Sequence, residues 1–342
     1  MTTTMAPIAE RAAPPAHPTL PDPALGLTWR GLGPDDAPAL LEVIVAGQAQ
    51  DRLPYRTNAD EVAEMFEGDW KDNARDTLGG FDADGVLSAW SQVTTAPGDT
   101  TIVRAFVFGG VHPRLRGSGI GSAMVAWQTG RARQLLAASG KEVPGRIAAY
   151  VDDTAPDSAE VYRAAGYTPI RYYVEMQRAL DVEVPARAAP DGVRIAPWTP
   201  ERDEDVRLAH NETFADHWGS QPRTAAEWAQ GRGQFAPTWS RVAVDEATGQ
   251  VAGYVLSHRY EEDWPVLGHS SGYTDLLGVR RAWRGRGLGV ALLAAAMQSY
   301  RDDGIEYAEI GVDTANPSGA HGMYASLGFT VFHSETMLTI EV

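Results

Sequence analysis

The chain contains 342 residues, 44% of them hydrophobic, which is typical of a protein with about two ordinary domains. It has no cysteine, and this excludes disulfides, thiolate metal ligands and a covalent acyl-cysteine mechanism; the sequence indicates no metal site. A net charge of −16 argues against a nucleic-acid or anionic-membrane binder and fits either a solvated surface or a surface that attracts a cationic amine. No run of about 18 apolar residues is present, so no membrane span is predicted.

Residues 1–23 are rich in Pro, Ala and Thr and lack the apolar core of a signal peptide. This composition predicts a disordered tail on a cytoplasmic protein.

Hydrophobic periodicity and turn signals then predict two similar successions of elements. The first has a strand at 27–32, helices at 36–49 and from 57, a hairpin of 78–81 and 86–93, a strand at 102–111, a helix at 122–139, a strand at 146–151, a helix at 158–165 and two strands within 167–180. The second has a strand at 193–198, helices at 203–218 and 224–232, a hairpin of 241–245 and 250–260, a strand at 273–279, a helix at 290–303, a strand at 307–312, a helix at 319–326 and a final stretch at 330–342. The predicted class is α/β with a mixed sheet, in tandem domains at 24–180 and 192–342 joined by a linker at 181–191.

A glycine-rich signature occurs once in each half, between a predicted strand ending in valine and a predicted helix. The two copies are Arg116-Gly117-Ser118-Gly119-Ile120-Gly121 after Val111, and Arg284-Gly285-Arg286-Gly287-Leu288-Gly289 after Val279. Glycine lets the backbone approach a ligand, and the N–H groups of a first helical turn attract anions. We therefore expect a diphosphate ligand, captured with the help of nearby arginines, namely Arg114, Arg116, Arg280, Arg281, Arg284 and Arg286.

The repetition extends to the end of each half, where Tyr162 precedes Gly166-Tyr167 and Tyr324 precedes Gly328-Phe329. A period this long indicates a tandem duplication of whole domains. The predicted assembly is a monomer that forms an internal pseudo-dimer, or a weak homodimer.

The segments 111–121 and 279–289 resemble the acetyl-CoA pyrophosphate loop of the GNAT superfamily of N-acetyltransferases. The segment from Asn316 through Tyr324 to Phe329 is similar to a second hallmark of that superfamily, in which the Asn faces the pantetheine arm and the Tyr lies near the CoA sulfur. The resemblance implies two tandem acetyltransferase domains, acetyl-CoA as the acyl donor, direct attack by a primary amine of a small molecule, and backbone contacts to the acetyl carbonyl from Leu277 to Val279.

This chemistry requires an acid for the leaving thiolate and a base for the ammonium. Tyr324 is the candidate acid; the alternative is a tyrosine that only packs beneath Phe329.

Relatives of this type often place a Glu where this chain has Tyr273, which we expect to contact substrate. Asp275 shares the strand alternation of Tyr273, Leu277 and Val279, so its carboxylate is expected on the same face and is the candidate base, directly or through water. The alternative is a structural, hydrogen-bonded Asp. His269 and the acidic stretch Glu261-Glu262-Asp263 are further candidates, and His217 either lines the acceptor pocket or caps a helix.

The first half lacks these groups, because Ala105 and Val107 occupy the positions that match Tyr273 and Asp275, and Thr154 replaces Asn316. We therefore expect the second half to be catalytic and the first to bind CoA without turnover or to serve as a structural partner.

Two other functions stay open. The architecture, the length and Asn211-x-x-Phe214-Ala-x-His217 resemble the mycothiol synthases, whose acceptor is the cysteine amine of a glycosylated inositol. A non-catalytic acyl-CoA sensor is the other alternative. A dinucleotide-binding domain is disfavoured, because Gly-x-Gly-x-Gly differs from the spacing of that fingerprint.

Overall fold

A computed structural model describes residues 5–185, 187–315 and 320–342 of the chain. The chain forms two compact units: unit 1 comprises Met1–Arg171 and Glu335–Val342, and unit 2 comprises Tyr172–Ser334. These units differ from the predicted domains because the last strands of the two sequence repeats are exchanged. The strand that ends the first repeat pairs in the sheet of unit 2, and the strand that ends the second repeat pairs in the sheet of unit 1. Boundaries drawn from the repeat alone therefore fall in the wrong place.

The helices as far as residue 179 are α1 (Ile8–Arg11), α2 (Ala37–Gln50), α3 (Ala59–Glu64), α4 (Asn73–Asp76), α5 (Ile120–Ala138) and α6 (Pro156–Ala164). The strands are β1 (Thr28–Arg30), β2 (Thr77–Phe81), β3 (Leu87–Thr95), β4 (Val103–Val111), β5 (Gly145–Asp152) and β6 (Thr168–Ala179). These elements follow the order α1-β1-α2-α3-α4-β2-β3-β4-α5-β5-α6-β6. The stretch 167–180 thus forms one strand rather than the two that were predicted.

The remaining elements follow a similar succession. The helices are α7 (Asp203–Thr213), α8 (Ala225–Trp228), α9 (Trp264–Leu267), α10 (Leu288–Asp302) and α11 (Ala320–Ser326). The strands are β7 (Val193–Pro197), β8 (Arg241–Asp245), β9 (Val251–His258), β10 (Ser271–Val279), β11 (Tyr307–Asp313) and β12 (Thr330–Glu341). In this succession α9 is added between β9 and β10, and α1 and α4 have no counterpart among the described residues.

The sheet of unit 1 has the strand order β1-β2-β3-β4-β5-β12, in which β4 and β5 are parallel and the other neighbours antiparallel. Its last strand is the end of the chain, where residues from Glu335 to Glu341 pair with β5. Helix α5 packs on β3, β4 and β5 through a core that includes Val93, Val107 and Ile147. The predicted mixed α/β class is therefore confirmed.

The sheet of unit 2 has the order β7-β8-β9-β10-β11-β6, and β10 and β11 are its parallel pair. Its last strand, β6, comes from the end of the first sequence repeat. Helix α10 is rich in Ala and Leu, which are strong helix formers, and it ends before Gly304, whose φ of 78° suits the residue that follows a helix.

Helix α10 covers one face of this sheet at very close range. The ring of Tyr300 lies against Gly272, where a Cβ atom would be 2.7 Å from the ring. The Tyr300 hydroxyl is 2.6 Å from Ser257 Oγ and 2.9 Å from Thr274 Oγ1. The alternate residues of β9 and β10 must therefore point to the opposite face, which carries the candidate site.

The predicted disordered tail is wrong for the described part of residues 1–23. Ile8 is fully buried, and its side chain occupies the space beside Gly145, where a Cβ atom would lie only 2.8 Å away. The Arg11 guanidinium donates hydrogen bonds to the carbonyls of Val143 and Val342. Composition missed this segment because a single apolar anchor in a Pro- and Ala-rich stretch gives no periodic signal.

We predict that Ile8→Ala lowers the free energy of unfolding by about 2–5 kcal/mol, because it leaves a cavity in the core of unit 1. Met5→Ala, at a residue that is 42% exposed, is the matched control and should change stability little. Urea unfolding of the full chain measures both variants. Equal stability of the Ile8 variant and the wild type would show that the segment does not pack in solution.

Candidate active site

The two glycine-rich loops have the same backbone conformation. Each follows a short 3-10 turn, Pro113–Leu115 in unit 1 and Arg281–Trp283 in unit 2. The φ angles are 76° at Gly117 and 89° at Gly119, and 73° at Gly285 and 78° at Gly287. Side chains rarely adopt such angles, so these positions require glycine. The substitution of Pro113 by Arg281 has not altered the loop.

Both loops have features that favour an anion. Gly119 and Gly287 immediately precede the first turns of α5 and α10, where backbone N–H groups and the helix dipole favour negative charge. A Cβ atom at Gly285 or Gly287 would meet no heavy atom within 4 Å, so the approach is open. The side chains of Ile120 and Leu288 are only 1% exposed and anchor the helix ends, so these residues offer backbone rather than side-chain contacts. The loops therefore fit the expected diphosphate.

The first arginine of each loop has a structural contact. Arg116 Nε donates to the Val111 carbonyl at 3.2 Å, and Arg284 Nε donates to the Val279 carbonyl at 3.0 Å. The rest of the Arg116 guanidinium pairs with Asp51, while Arg284 also donates to the Thr213 carbonyl at 2.7 Å. These side chains fasten each loop to the end of the preceding strand.

The other arginines are engaged to different degrees. Arg280 donates to Glu212 at 2.7 Å, and Arg281 pairs with Asp216. Arg114 and Arg286 have no carboxylate partner among the described residues and contact His112 Nδ1 and the Asp191 carbonyl, respectively. The sequence suggested that all six arginines capture a phosphate, which would require several of these contacts to break. The backbone N–H groups of the loop are therefore the better hydrogen-bond donors to an anion.

The parallel strands of each unit separate just before the glycine loop. In unit 2, β10 pairs with β11 only from Ser271↔Tyr307 to Thr274↔Ile310. In unit 1, β4 pairs with β5 only from Val103↔Gly145 to Phe106↔Ala148. The rest of the strand, including Leu277 to Val279 in unit 2, is thus not paired with its parallel neighbour, and it leads directly to the loop. This geometry suits a long ligand with a diphosphate at one end.

A β-bulge distinguishes the two units. In β10 the register shifts between Thr274, opposite Ser257, and Leu276, opposite Leu256, which leaves Asp275 as the extra residue. Over residues 103–111, β4 runs past β3 without such a shift. The structural counterpart of Tyr273 is therefore Phe106, and Asp275 has none, whereas the sequence had matched these positions with Ala105 and Val107.

The bulge also changes which residues share a face. Leu277 and Val279 pack into the core beside α10, not beside Asp275 as simple alternation predicted. Asp275 lies on the opposite face, where its Oδ2 atom is 3.7 Å from His258 Nδ1 and its side chain is 35% exposed. Each extra residue in a bulge reverses the alternation that follows it. The carboxylate is consequently accessible on the face away from α10.

Glu175 was missed by the sequence reasoning. It lies on β6 opposite Gly311, and its Oε1 atom accepts a hydrogen bond from the Tyr273 hydroxyl at 3.2 Å. A Cβ atom on Gly311 would be 2.8 Å from both of these oxygens, so the two side chains meet over a residue that has no side chain. Burial raises the pKa of Tyr273 well above its usual value, and the charges of Glu175 and Asp275 raise it further. Tyr273 is therefore a neutral hydroxyl in an acidic setting.

Glu309 is a second acid that the sequence reasoning missed. It is 6% exposed and lies beside Tyr273 on β11, and burial raises its pKa to about 7. Its Oε1 atom is 3.8 Å from His269 Nε2, and neither atom has a hydrogen-bond partner within the described ranges. Burial lowers the pKa of His269. The signal was an acid between the buried apolar residues Ala308 and Ile310, the pattern that had singled out Asp275.

The two tyrosines of the duplicated segments differ in their contacts. Tyr324 is 7% exposed, its ring centroid is 6.1 Å from that of Phe329, and burial raises its pKa to about 12. Its hydroxyl has no hydrogen-bond partner in the part of the chain that the structure describes. The Tyr162 hydroxyl instead lies 3.4 Å from Gln128 Oε1, and the amide of Gln128 donates to the Phe108 carbonyl at 2.6 Å.

Three other positions that the sequence singled out remain to be placed. Asn316 lies outside the described residues. His217 is half-buried beyond the end of α7, with its ring centroid 5.1 Å from that of Phe214. In the acidic stretch, Glu261 pairs with Arg259 at 2.5 Å and is therefore partly neutralised.

Residues 204–329 match the family model described as the acetyltransferase (GNAT) family. A mycothiol acetyltransferase of Thermobispora bispora is 32% identical over 66% of this chain and 73% of its own length. A mycothiol acetyltransferase of Tsukamurella paurometabola is 31% identical over 68% of this chain and 82% of its own length. The chain belongs to the GNAT acetyltransferase family. It is an acyltransferase that uses acetyl-CoA.

Solved structures agree with this assignment. A GCN5-related N-acetyltransferase from Sphaerobacter thermophilus has a TM-score of 0.69 and 27% identity, over 94% of this chain and 97% of that one. A tandem GNAT protein from the clavulanic acid biosynthesis pathway, with a TM-score of 0.64 and 19% identity over 92% of this chain and 98% of that one, shares the fold. Among the described residues, no helix is both long and apolar enough to cross a membrane.

We predict that Gly287→Val abolishes binding of acetyl-CoA to unit 2, because valine is strained at a φ of 78° and its side chain would block the anion. Gly304→Val is the matched control, since Gly304 has the same φ of 78° and open surroundings at the other end of α10.

Isothermal titration gives the stoichiometry, and acetyl-CoA at about 100 times its dissociation constant should stabilise the wild type by about 2.7 kcal/mol. The stoichiometry of Gly119→Val shows in the same way whether the loop of unit 1 binds acetyl-CoA. If the Gly287 variant binds acetyl-CoA with the wild-type stoichiometry, or if the Gly304 variant loses binding to the same extent, the loop is not the diphosphate site.

Proposed function

We propose that unit 2 transfers an acetyl group from acetyl-CoA to a primary amine of a small molecule by direct attack of the amine. The observation that carries this proposal is the bulge at Asp275, which lies where β10 and β11 separate and has no equivalent in unit 1. The bulge places the exposed carboxylate of Asp275 next to the point where the two strands separate.

The bound acetyl-CoA supplies an activated acetyl thioester. The N–H groups of residues 285–289 bind its diphosphate, and backbone N–H groups of Leu277 to Val279, beyond the end of the β10 and β11 pairing, polarise the acetyl carbonyl. Asn316 belongs to the proposed cofactor contacts on the resemblance alone.

Two side chains move protons in this proposal. Asp275 accepts a proton from the incoming ammonium, directly or through water, and is reached from solvent because its side chain is 35% exposed. Tyr324 donates a proton to the leaving thiolate; its pKa of about 12 keeps it protonated at neutral pH, and its hydroxyl makes no hydrogen bond with any described residue that would have to break. Tyr273 and His217 contact the acceptor.

Unit 1 is proposed to bind CoA without turnover or to act as a structural partner. Its strand β4 lacks the bulge, and its tyrosine hydroxyl is engaged by Gln128.

Mycothiol synthesis is the second candidate, favoured by the names of the relatives that span most of both chains. The acceptor would then be the cysteine amine of a glycosylated inositol. An assay of CoA release with that compound and a panel of simple amines distinguishes the two candidates by kcat/KM. Binding of acetyl-CoA without release of CoA on any amine would instead support a sensor.

We predict that Tyr324→Phe lowers kcat by about 10² to 10⁴ with little change in acetyl-CoA affinity, because only the proton donor is removed. Tyr162→Phe is the matched control and should leave kcat nearly unchanged, since it loses one hydroxyl contact of 3.4 Å. Steady-state kinetics and titration of both variants provide the measurement. Equal losses in the two variants would contradict a single active unit.

We predict that Asp275→Asn lowers kcat/KM, because asparagine cannot accept the proton. Raising the pH should partly restore the rate of this variant, since more of the amine is then neutral. Glu309→Gln is a matched change at the neighbouring acid, whose pKa burial raises to about 7, and it should lower kcat/KM less than Asp275→Asn does. A larger loss in the Glu309 variant would make Glu309 the base, and an unchanged kcat/KM in the Asp275 variant would refute Asp275.

A further inference from the structure

Glu175 reaches the candidate site through the topology of β6. The strand belongs to the first sequence repeat but pairs along β11 of unit 2, with Glu175 opposite Gly311. Gly311 follows Ile310, the last residue of β11 that pairs with β10. The carboxylate therefore lies at the level where the two strands begin to separate.

The contacts of Glu175 are specific. Its Oε1 atom accepts the Tyr273 hydroxyl at 3.2 Å, and the absence of a side chain at Gly311 lets the two groups meet. Any larger residue at 311 would lie 2.8 Å from both oxygens and displace them. The arrangement thus holds a carboxylate and a phenol together on the face that carries Asp275.

Two further acidic residues, Asp275 and Glu309, share this face. Within 4 Å their basic neighbours among the described residues are His258 and His269. Burial raises the pKa of Glu309 to about 7, so Glu309 is only partly ionised at neutral pH and Asp275 is the exposed acid of the pair. Glu309 is buried, and its Oε1 atom has no hydrogen-bond partner in the described ranges. Burial and the charges of Glu175 and Asp275 raise the pKa of Tyr273 and keep it neutral.

We propose that Glu175 is a specificity-determining residue of the acceptor site, which together with Asp275 favours a primary ammonium group that has no carboxylate beside it. This inference rests on the proposed function. An ammonium group is attracted by the acidic face, whereas the carboxylate of a free amino acid, two bonds from its amine, meets like charges there. Amides of amino acids and simple amines are therefore the favoured class of acceptor.

The test compares L-alaninamide with L-alanine, which carry the same amine and differ in the carboxylate. The full-length wild type should prefer the amide in kcat/KM, and Glu175→Gln should reduce that preference by about fivefold to tenfold. The two amines differ in basicity, but this difference cancels when the preference of the variant is divided by that of the wild type. Glu246→Gln, at an exposed acid on the turn between β8 and β9, is the control and should keep the wild-type preference.

Tyr273→Phe separates charge from positioning, because it removes the hydroxyl that holds Glu175 and keeps the Glu175 charge. It should reduce the preference for the amide less than Glu175→Gln does, and an equal or larger reduction would overturn the proposal. An unchanged preference in Glu175→Gln, or an equal fall in the rates for both amines, would overturn the proposal. If no amine is acetylated, the proposed function fails by itself. Calorimetric titration of both amines into the CoA complex then decides the inference: tighter binding of alaninamide supports it, and equal binding, or binding of neither amine, overturns it.

Discussion

The hydrogen-bond ladder between β10 and β11 ends after Thr274 and Ile310, and the candidate site depends on that ending. If the pairing continued, β10 and β11 would remain hydrogen-bonded as far as the glycine loop, and no ligand could lie between them. Separation instead leaves the backbone of Leu277 to Val279 no longer paired with β11, and the bulge at Asp275 places a carboxylate next to the point where the two strands separate.

The two halves share a backbone framework but differ in the side chains beside the glycine-rich loop. Both retain the separated strands and the same φ angles in the glycine loop, which indicates that the geometry of anion binding is preserved. Unit 1 nevertheless lacks the bulge, and its tyrosine is hydrogen-bonded to Gln128. The proposed difference in function between the units rests on this one inserted residue and on the contact of Gln128 with Tyr162.

The sequence predicted the parts of the site that depend on local backbone requirements. Glycines with positive φ at Gly285 and Gly287 are recognisable without tertiary information, and so is the apolar helix that follows them. The bulge, the contact of Glu175 with Tyr273 and the burial of Ile8 depend on strand register and packing between distant segments. Such contacts leave no periodic trace in a single sequence, which is why the predicted face of Leu277 and the boundaries of the units were wrong.

A crystal structure with a bisubstrate adduct, in which an amine is joined through an acetyl bridge to CoA, tests the central claim most directly. Our account predicts the diphosphate on residues 284–289, the acetyl bridge beside Leu277 to Val279, and the amine on the face that carries Asp275 and Glu175. An adduct bound only at residues 116–121, or with its amine away from the Asp275 bulge, would contradict the assignment of catalysis to unit 2.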